Sequence, residues 1–373
     1  MKRIAVLLCL VVTCYAAGSA TASPPPSVDA DAWVVESDAG QVLGASNPNE
    51  EHAIASITKL MTVLVVLDHH KLSDLVTVDA RSSAVGQESI DLRPGEQLTV
   101  ADLIEGALIQ SANDAAVALA LATSPDLFGF ANLMNAKAAE LGLAHTHFVN
   151  PDGLDAEGAY STAADVTTLA RAAMRVPFIR STVDQPAAVI GGGRTLHTWN
   201  DLLGVVPGVI GVKTGHTNDA GWSQVVADEA GTMTIYVTIL GSPSRATRNA
   251  DLESLVSWGI GLYSVVVAIT ANHPYAQVAL PYGRKPLALV AKSELRASVR
   301  PGGALTERVV AARYAPLPIR RGEVFGNVQI WAGGKLVGRR PLIASRSVAA
   351  PGVCGRVGWF ARRTVHDVVG WFT

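Results

Sequence analysis

The apolar stretch from Ile57 to Leu67 predicts a helix buried inside a domain. The stretch is almost unbroken, and a helix that is apolar on nearly every face has no side suited to water. Ser56 would lie at the amino-terminal end of this helix, with Lys59 one turn further on. Because positions i and i+3 share a helix face, the Lys59 amine is expected to reach the Ser56 hydroxyl.

Capping residues mark the ends of further helices. Thr99 followed by Asp102 is a capping-box pattern ahead of an apolar run, and Thr162 opens another helix. Gly142 stands just past the end of a third helix, a position that favours glycine. The helix after Thr99 is predicted at 100–109, the one after Thr162 from 163 onwards, and the one before Gly142 at 125–141, with Ser124 as N-cap. Two other helices are predicted at 114–122 and 250–262.

Runs of β-branched residues predict strands in the middle of the chain. Val209–Gly215 has this pattern. A hairpin is also predicted, with strands at 221–228 and 232–240 and its turn around Glu229-Ala230-Gly231. Strands and helices together predict an α/β (α+β) domain, with a mainly antiparallel sheet and helices around it, over residues 23–270.

The pattern changes after residue 277 to short β-like runs. Val324–Trp331 is the clearest of them, and turns are predicted at 301–303 and 332–334. We therefore expect a small all-β domain over residues 271–350.

The first 22 residues have the features of a signal peptide. Lys2 and Arg3 precede the apolar run Ile4–Val12, and Ala20-Thr21-Ala22 is a cleavage signal ahead of Ser23. The run is too short to favour a spanning helix. Residues 1–22 thus predict export, and Cys354 alone would remain after cleavage, which excludes an intramolecular disulfide in the mature chain.

The last segment, 351–373, has the pattern of an amphipathic helix. Trp359 and Trp371 flank an apolar stripe, and Arg356, Arg363 and Asp367 take the other side. Such a helix lies in the membrane interface and does not span. The alternative is an ordinary amphipathic helix docked on the protein. The stripe consists of Val353, Val357, Phe360, Val365, Val368 and Phe372.

Charge is distributed unevenly along the chain. The net charge is −2, with 49% hydrophobic and 17% charged residues, a composition that argues against wholesale disorder. Residues 271–373 hold 16 basic and 4 acidic residues, whereas 23–270 hold 12 basic and 28 acidic residues. A basic last third favours an anionic surface. In an exported protein this surface would be a membrane and not a nucleic acid.

Three short motifs carry the candidate chemistry: Ser56-Ile57-Thr58-Lys59, Ser111-Ala112-Asn113 and Lys213-Thr214-Gly215. A serine hydroxyl needs a base to act as a nucleophile. A lysine supplies one when burial and a second cation, here Lys213, favour its neutral form. Ser111 can relay a proton and Asn113 can bind a substrate amide. Lys213 and Thr214 offer a cation and a hydroxyl to a carboxylate.

Each motif also has a simpler explanation when taken alone. Ser56 and Lys59 could be solvated residues at a helix start, Ser111 and Asn113 could merely cap the next helix, and Lys213 could be exposed on an edge strand. No C-x-x-C or H-E-x-x-H pattern and no phosphate-binding glycine loop occurs. We therefore expect no metal and no cofactor, and we interpret His145 and His147 as structural or surface residues.

The motifs and their flanking sequences resemble the low-molecular-mass penicillin-binding proteins, the serine D-alanyl-D-alanine carboxypeptidases. The resemblance covers essentially the whole mature chain and is stronger in its first two thirds. Besides the three motifs, it rests on the blocks Ala55–Thr62, Leu92–Glu96, Gln110–Ala116, Asn150–Asp155 and Val212–Thr217.

The resemblance implies a role for each site residue. Ser56 would be the acylated nucleophile and Lys59 its general base, with Ser111 and Asn113 flanking the substrate. Lys213, Thr214 and Gly215 would hold the terminal carboxylate, and the backbone amides of Ser56 and His216 would form the oxyanion hole. Arg248 matches the family arginine that helps to hold the carboxylate, with Arg245 as the alternative. The all-β domain would be a β-sandwich that lifts the catalytic domain off the membrane.

Two residues depart from the family pattern. Ile54 stands where proline is usual, and Ala112 stands where many members have glycine. Neither position supplies side-chain chemistry, so the departures bear on rate and substrate preference and not on the class of reaction.

Three functions fit these observations. The leading one is a D,D-carboxypeptidase that removes the terminal D-alanine of peptidoglycan stem peptides, is inhibited by penicillin, and acts at the outer face of the bacterial cytoplasmic membrane. Endopeptidase action on cross-links is left open. A class A β-lactamase would need an E-x-x-L-N pattern, which we do not find between Ser111 and Lys213. A non-catalytic peptidoglycan-binding protein would not need the nucleophile and base.

Overall fold

The computed structural model describes residues 6–11, for which it gives the backbone alone, and residues 23–300, 303–354, 357 and 359. The chain forms two compact units. The first is Ser23–Gly261, and the second comprises the described residues from Leu262 onwards together with the strand β1, Val6–Val11. The division falls nine residues before the predicted limit of 270, because the strand that begins at Ser264 pairs within the second unit.

Eight helices lie in the first unit. They are α1 (Lys59–His69), α2 (Ala80–Ser83), α3 (Val100–Leu108), α4 (Asn113–Thr123), α5 (Leu127–Leu141), α6 (Ala163–Met174), α7 (Pro177–Val183) and α8 (Arg245–Gly261). Residues of α1, α3, α4, α5 and α6 share one apolar core. The buried face of α1 extends from Lys59 to Val66 without interruption, as its apolar sequence predicts.

Capping explains which helix ends were predicted correctly. The Thr99–Asp102 capping box, the Thr162 N-cap and the left-handed Gly142 are confirmed. The N-cap of α5 is Asp126 and not Ser124, because the Asp126 carboxylate accepts the Gly129 amide. Helix α8 begins well before residue 250, since the Ser244 hydroxyl accepts the amide of Thr247 and caps the helix there.

The main sheet of the first unit is antiparallel throughout, in the order β3-β2-β10-β9-β8. The predicted hairpin is confirmed, with its turn at Gly231-Thr232 because Glu229 and Ala230 still pair with the facing strand. The strands are β2 (Ala32–Ser37), β3 (Val42–Ser46), β8 (Val209–Thr217), β9 (Gly221–Ala230) and β10 (Met233–Ser242). Two separate hairpins pair β4 (Leu75–Thr77) with β5 (Gln97–Thr99) and β6 (Ala187–Ile190) with β7 (Arg194–His197).

The described elements of the second unit from Leu262 to Ala344 are all strands, as predicted. They are β11 (Ser264–Ile269), β12 (Pro274–Val278), β13 (Leu287–Ala291), β14 (Leu295–Val299), β15 (Leu305–Ala312), β16 (Val324–Ala332) and β17 (Lys335–Ala344). One sheet has the order β1-β15-β16-β17-β13-β12, and β11 pairs with β14 in another. Both sheets contribute to one apolar core.

The predicted amphipathic segment lies mostly outside the described residues. Within it, Trp359 contacts Tyr282 edge-on, with the ring centroids 5.6 Å apart, and Gly283 lies beside the same indole. Among the described helices, none alone has both the length and the apolar composition to cross a membrane; α4 and α5 together meet both criteria but are bent by 89°.

Candidate active site

The Ser56 hydroxyl and the Lys59 amine are in direct contact. Ser56 lies in a 3₁₀ turn, Ala55–Thr58, which leads into α1, and Lys59 is the first residue of that helix. The helical spacing therefore holds across the junction, and Lys59 Nζ lies 2.6 Å from Ser56 Oγ. Ala55 has a φ of 48°, a left-handed conformation that is uncommon for a residue other than glycine and that is enriched at functional sites.

Two further acceptors surround the Lys59 amine. Its Nζ donates to Asn113 Oδ1 at 2.7 Å and to the Asp152 carbonyl at 2.8 Å. The Asn113 amide is oriented by its own Nδ2, which donates to the carbonyl of Gly86. A neutral amine has two hydrogens and one lone pair. The two acceptors can take both hydrogens, which leaves the lone pair directed at the Ser56 hydroxyl.

Burial prepares Lys59 to act as a base. The side chain has no solvent exposure, and this desolvation lowers its pKa from 10.5 to about 8. The negative charges of Asp152, Glu88 and Asp114 oppose the shift. A pKa of about 8 leaves a useful fraction of neutral amine near pH 7, which a solvated lysine does not have. The alternative of a solvated serine and lysine is therefore wrong.

The second and third motifs meet through Lys213. Its Nζ donates to Ser111 Oγ at 2.8 Å and to the Thr214 carbonyl at 3.0 Å. The Lys213 side chain is 2% exposed, so it is not an exposed residue of an edge strand. Burial, and then the charges of Lys59 and Arg248, hold its pKa well below the usual range. A proton on Lys59 therefore opposes a second proton on Lys213.

Ser111 and Asn113 do not serve as helix caps. The N-cap of α4 is Ala112, and no side chain caps this end. Ser111 has a φ of 63° and contacts Lys213, while Asn113 contacts Lys59. The capping alternative is wrong because both polar side chains are occupied by the lysines.

Close approach of β8 to the 3₁₀ turn depends on Gly215. A Cβ atom at this position would lie 2.6 Å from the Ile54 carbonyl and 3.2 Å from Ala55 Cβ. Only glycine lets this strand pass so near to Ser56. Gly153 likewise allows its own segment to approach the 3₁₀ turn, since a Cβ atom at this position would lie 2.0 Å from the Ala55 carbonyl.

A cleft of about 220 Å³ opens in front of Ser56. Thr214, Gly215 and His216 of β8 line one side, and Ser111 lines another. The His216 ring packs on Trp222, with centroids 3.9 Å apart. The other lining residues are Gln87, Glu88, Trp199, Trp222, Arg245 and Arg248.

The two arginines at the cleft differ in burial and in their partners. The Arg245 side chain is 40% exposed and binds Asp201 through Nε and Nη2. The Arg248 side chain is 2% exposed, and its Nη2 contacts Asp201 and Asn249. Burial lowers the pKa of Arg248 to about 10, and Nη1 has no hydrogen-bond partner among the described residues. Arg248 therefore offers a desolvated cation with a free donor.

Every site residue predicted from the sequence contributes to this cleft or to its lysines. Sequence reasoning missed several contributors, among them Glu88 and Trp199 at the cleft, Asp201 between the arginines, and the Asp152 carbonyl on Lys59. Asp152 lies in a block that carries the family resemblance, but a backbone acceptor has no side-chain signal. The other three lie outside the motifs.

Comparisons with known proteins agree with this geometry. A family profile described as D-alanyl-D-alanine carboxypeptidase matches residues 19–244. D-alanyl-D-alanine carboxypeptidase DacC of Escherichia coli is 33% identical over 378 residues, with 93% of this chain and 92% of the relative covered. D-alanyl-D-alanine carboxypeptidase DacF of Bacillus subtilis is 29% identical, with coverages of 90% and 89%.

A solved structure is similar over most of the chain. Penicillin binding protein 5 from Haemophilus influenzae has a TM-score of 0.64 and 26% sequence identity, and the match covers 88% of this chain and all of that one. The family profile spans more than half of the sequence, and the relative from Escherichia coli is aligned almost from end to end. We conclude that this chain belongs to the D-alanyl-D-alanine carboxypeptidase family, peptidase family S11.

Proposed function

We propose that this protein is a serine-type D-alanyl-D-alanine carboxypeptidase that removes the terminal D-alanine of peptidoglycan stem peptides through an acyl-enzyme on Ser56. The observation that carries the proposal is the set of contacts of the buried Lys59 amine. Two of its neighbours, Asn113 Oδ1 and the Asp152 carbonyl, can only accept hydrogen bonds, and the third is the Ser56 hydroxyl. Membership of the carboxypeptidase family supports the substrate class.

Acylation follows from these contacts. Ser56 Oγ attacks the carbonyl carbon of the penultimate D-alanine while its proton passes to Lys59 Nζ. The backbone amides of Ser56 and His216 are the proposed donors to the oxyanion. The C–N bond then breaks, and the leaving amine takes a proton through Ser111, which accepts one from Lys213. An ester on Ser56 and free D-alanine result, and water hydrolyses the ester to release the shortened peptide.

The terminal carboxylate of the substrate is assigned to the cationic side of the cleft. Thr214 supplies a hydroxyl and Arg248 a buried charge, which interacts more strongly in a site that excludes water. Lys213, directly behind Ser111, supplies a second charge once the bound carboxylate stabilises its protonated form. We assign Arg248, in preference to Arg245, because the Arg245 guanidinium is more exposed and bound to Asp201 through two nitrogens. A bound carboxylate also favours the proton on Lys213, which leaves Lys59 neutral.

Penicillin should inhibit the enzyme by the same route. A β-lactam presents a strained amide and a carboxylate in the place of the D-alanyl-D-alanine amide, so Ser56 opens the ring and forms an ester that hydrolyses slowly. The Haemophilus influenzae relative is named a penicillin binding protein, which supports this step. No glutamate in an E-x-x-L-N pattern is available to speed hydrolysis, which argues against a class A β-lactamase.

Release of D-alanine tests the proposed function. Purified protein incubated with pentapeptide muropeptides should release one free D-alanine per peptide and leave a tetrapeptide. A pentapeptide with a carboxy-terminal amide should be a much poorer substrate, because Lys213 and Arg248 would lose their anionic partner. Mass spectrometry of the muropeptides and enzymatic assay of D-alanine give the result. Cleavage of cross-linked dimers without D-alanine release would instead indicate an endopeptidase.

Export and membrane attachment form the second part of the proposal. Residues 1–22 are proposed as a cleaved signal peptide, so that the mature protein lacks β1 and β15 becomes an edge strand of its sheet. Export places the enzyme outside the cytoplasmic membrane, where its peptidoglycan substrate lies. Residues 271–350 are the proposed spacer domain after the catalytic domain, 23–270, and 351–373 are the proposed interfacial anchor. The basic composition after residue 271 and the two tryptophans of the last segment support attachment to an anionic surface. No nucleic-acid partner is proposed.

Removal of residues 360–373 should separate attachment from catalysis. This truncation keeps the contact of Trp359 with Tyr282 and removes apolar side chains that are each worth about 1.5–3 kcal/mol when buried. The truncated protein should no longer sediment with anionic vesicles and should release D-alanine from a soluble peptide at an unchanged rate. Changing Phe360, Trp371 and Phe372 to serine should weaken binding more than changing Arg362 and Arg363 to glutamine. Full sedimentation after truncation would contradict the anchor.

A further inference from the structure

Glu88 occupies a fixed position at the active-site cleft. Its backbone carbonyl accepts the amide of Asn113 at 2.7 Å, and Asn113 Nδ2 donates to the carbonyl of Gly86. The segment that carries Glu88 is thus tied by two hydrogen bonds to the motif that contacts Lys59. Glu88 lines the cleft together with Ser56 and Ser111.

The backbone just before Glu88 is strained. Gln87 has a φ of 66°, in the left-handed region that side chains other than those of asparagine and aspartate rarely adopt. Ala55, which precedes Ser56, and Ser111 have the same conformation. Strain of this kind persists where the surrounding structure enforces it and clusters at ligand sites. Gln87 thus precedes a residue that lines the cleft, as Ala55 precedes Ser56.

The Glu88 carboxylate has no hydrogen-bond or ion-pair partner among the described residues. Other acids of this region do: the Asp114 carboxylate accepts four donors, and Asp201 binds both arginines. The negative charge of Glu88 raises the pKa values of Lys59 and Lys213, although burial lowers both by more. A half-buried carboxylate without a direct partner is destabilising unless water or a ligand compensates it.

We propose that Glu88 is a specificity-determining residue that binds a cationic group on the acyl side of the substrate, namely the free side-chain ammonium of a diamino acid ahead of D-alanyl-D-alanine. The inference rests on the proposed function. The substrate carboxylate is assigned to Lys213, Thr214 and Arg248, and a carboxylate near Glu88 would be repelled. Glu88 therefore complements the part of the peptide that remains in the acyl-enzyme.

A pair of peptides isolates this contact. Both consist of Nα-acetyl-lysine followed by two D-alanines, and one carries an additional acetyl group on the side-chain amine. The wild-type protein should use the free-ammonium peptide better, by on the order of tenfold in kcat/KM, a ratio typical of one partly buried charge pair. Glu88→Gln should bring the ratio close to one, because only the free-ammonium peptide loses a direct contact with the carboxylate. Glu253→Gln, an exposed glutamate on α8, is the matched control and should keep the ratio.

The pH profile separates this contact from an effect through the lysines. The charges that face Lys59 are Asp152, Glu88 and Asp114, and those that face Lys213 are Lys59, Glu88 and Arg248. If Glu88 acted only through these lysines, Glu88→Gln would move the acid limb of the profile to lower pH and would change kcat/KM by the same factor for both peptides, so that their ratio would keep its wild-type value. That result would overturn the proposal, as would a wild-type ratio of one. Absence of D-alanine release from both peptides by the wild type would instead contradict the proposed function.

Discussion

Replacement of Ser56 by alanine is expected to abolish both D-alanine release and labelling by penicillin. The variant lacks the only atom that forms the proposed ester, so the rate should fall by about a thousandfold or more. The fold should persist, since the serine occupies a 3₁₀ turn without a capping role and alanine is compatible with helical conformations. Labelled penicillin and peptide mapping give the measurement.

The control for this variant is a serine on the surface of the same unit. Ser181, exposed on α7, donates to the carbonyl of Phe178 and does not line the cleft. Ser181→Ala should be labelled and should turn over substrate like the wild type. A label mapped to Ser111, or a Ser56→Ala variant that still forms an adduct, would show that the nucleophile is misassigned.

Replacement of Lys59 by methionine should remove acylation almost as completely, again by about a thousandfold. Methionine has a similar length and no lone pair that can take the Ser56 proton. Lys59→Arg should be as inactive, because a guanidinium stays charged and cannot act as the base. The rate of covalent labelling by penicillin, measured under single-turnover conditions, gives the effect on acylation directly. Lys71→Met, at an exposed lysine, is the matched control and should label normally.

The wild-type pH profile provides an independent readout of Lys59. The amine is protonated and inactive below its pKa of about 8 and is free to accept the Ser56 proton above it. Acylation should therefore rise about tenfold per pH unit up to about pH 8 and then level off. Any slow labelling that remains in Lys59→Met should not show this increase of rate with pH. A wild-type rate independent of pH between 6 and 8 would argue against a lysine base.

The lysine pair explains how one buried site can contain both a base and an anion binder. Lys59 and Lys213 are each enclosed, and the charge of Lys59 lowers the pKa of Lys213 further. The difference between them lies in their partners. Lys59 faces the nucleophile and two fixed acceptors, whereas Lys213 faces Ser111 and the side of the cleft where the carboxylate is assigned. The substrate itself thus completes the division of roles.

The amino-acid sequence by itself determined the local elements and the chemical groups. The unbroken apolar run after Ser56 specified a buried helix, the capping box specified the start of α3, and β-branched runs specified β8 and its hairpin, because such signals act over a few residues. Errors occurred where a nearby side chain competed for the same role. Asp126 replaced Ser124 as a cap, and Ser244 started α8 earlier than the apolar pattern indicated.

Only the tertiary structure decided which groups meet and in what state. The contact of Lys59 with the Asp152 carbonyl joins positions 93 residues apart, and that of Lys213 with Ser111 joins positions 102 residues apart. Neither has a local signal. Burial of both lysines, the difference in exposure between Arg245 and Arg248, and the unpartnered carboxylate of Glu88 likewise arise from packing around the cleft. A pKa or a free donor depends on the surroundings of a side chain, and these surroundings exist only once the chain has folded.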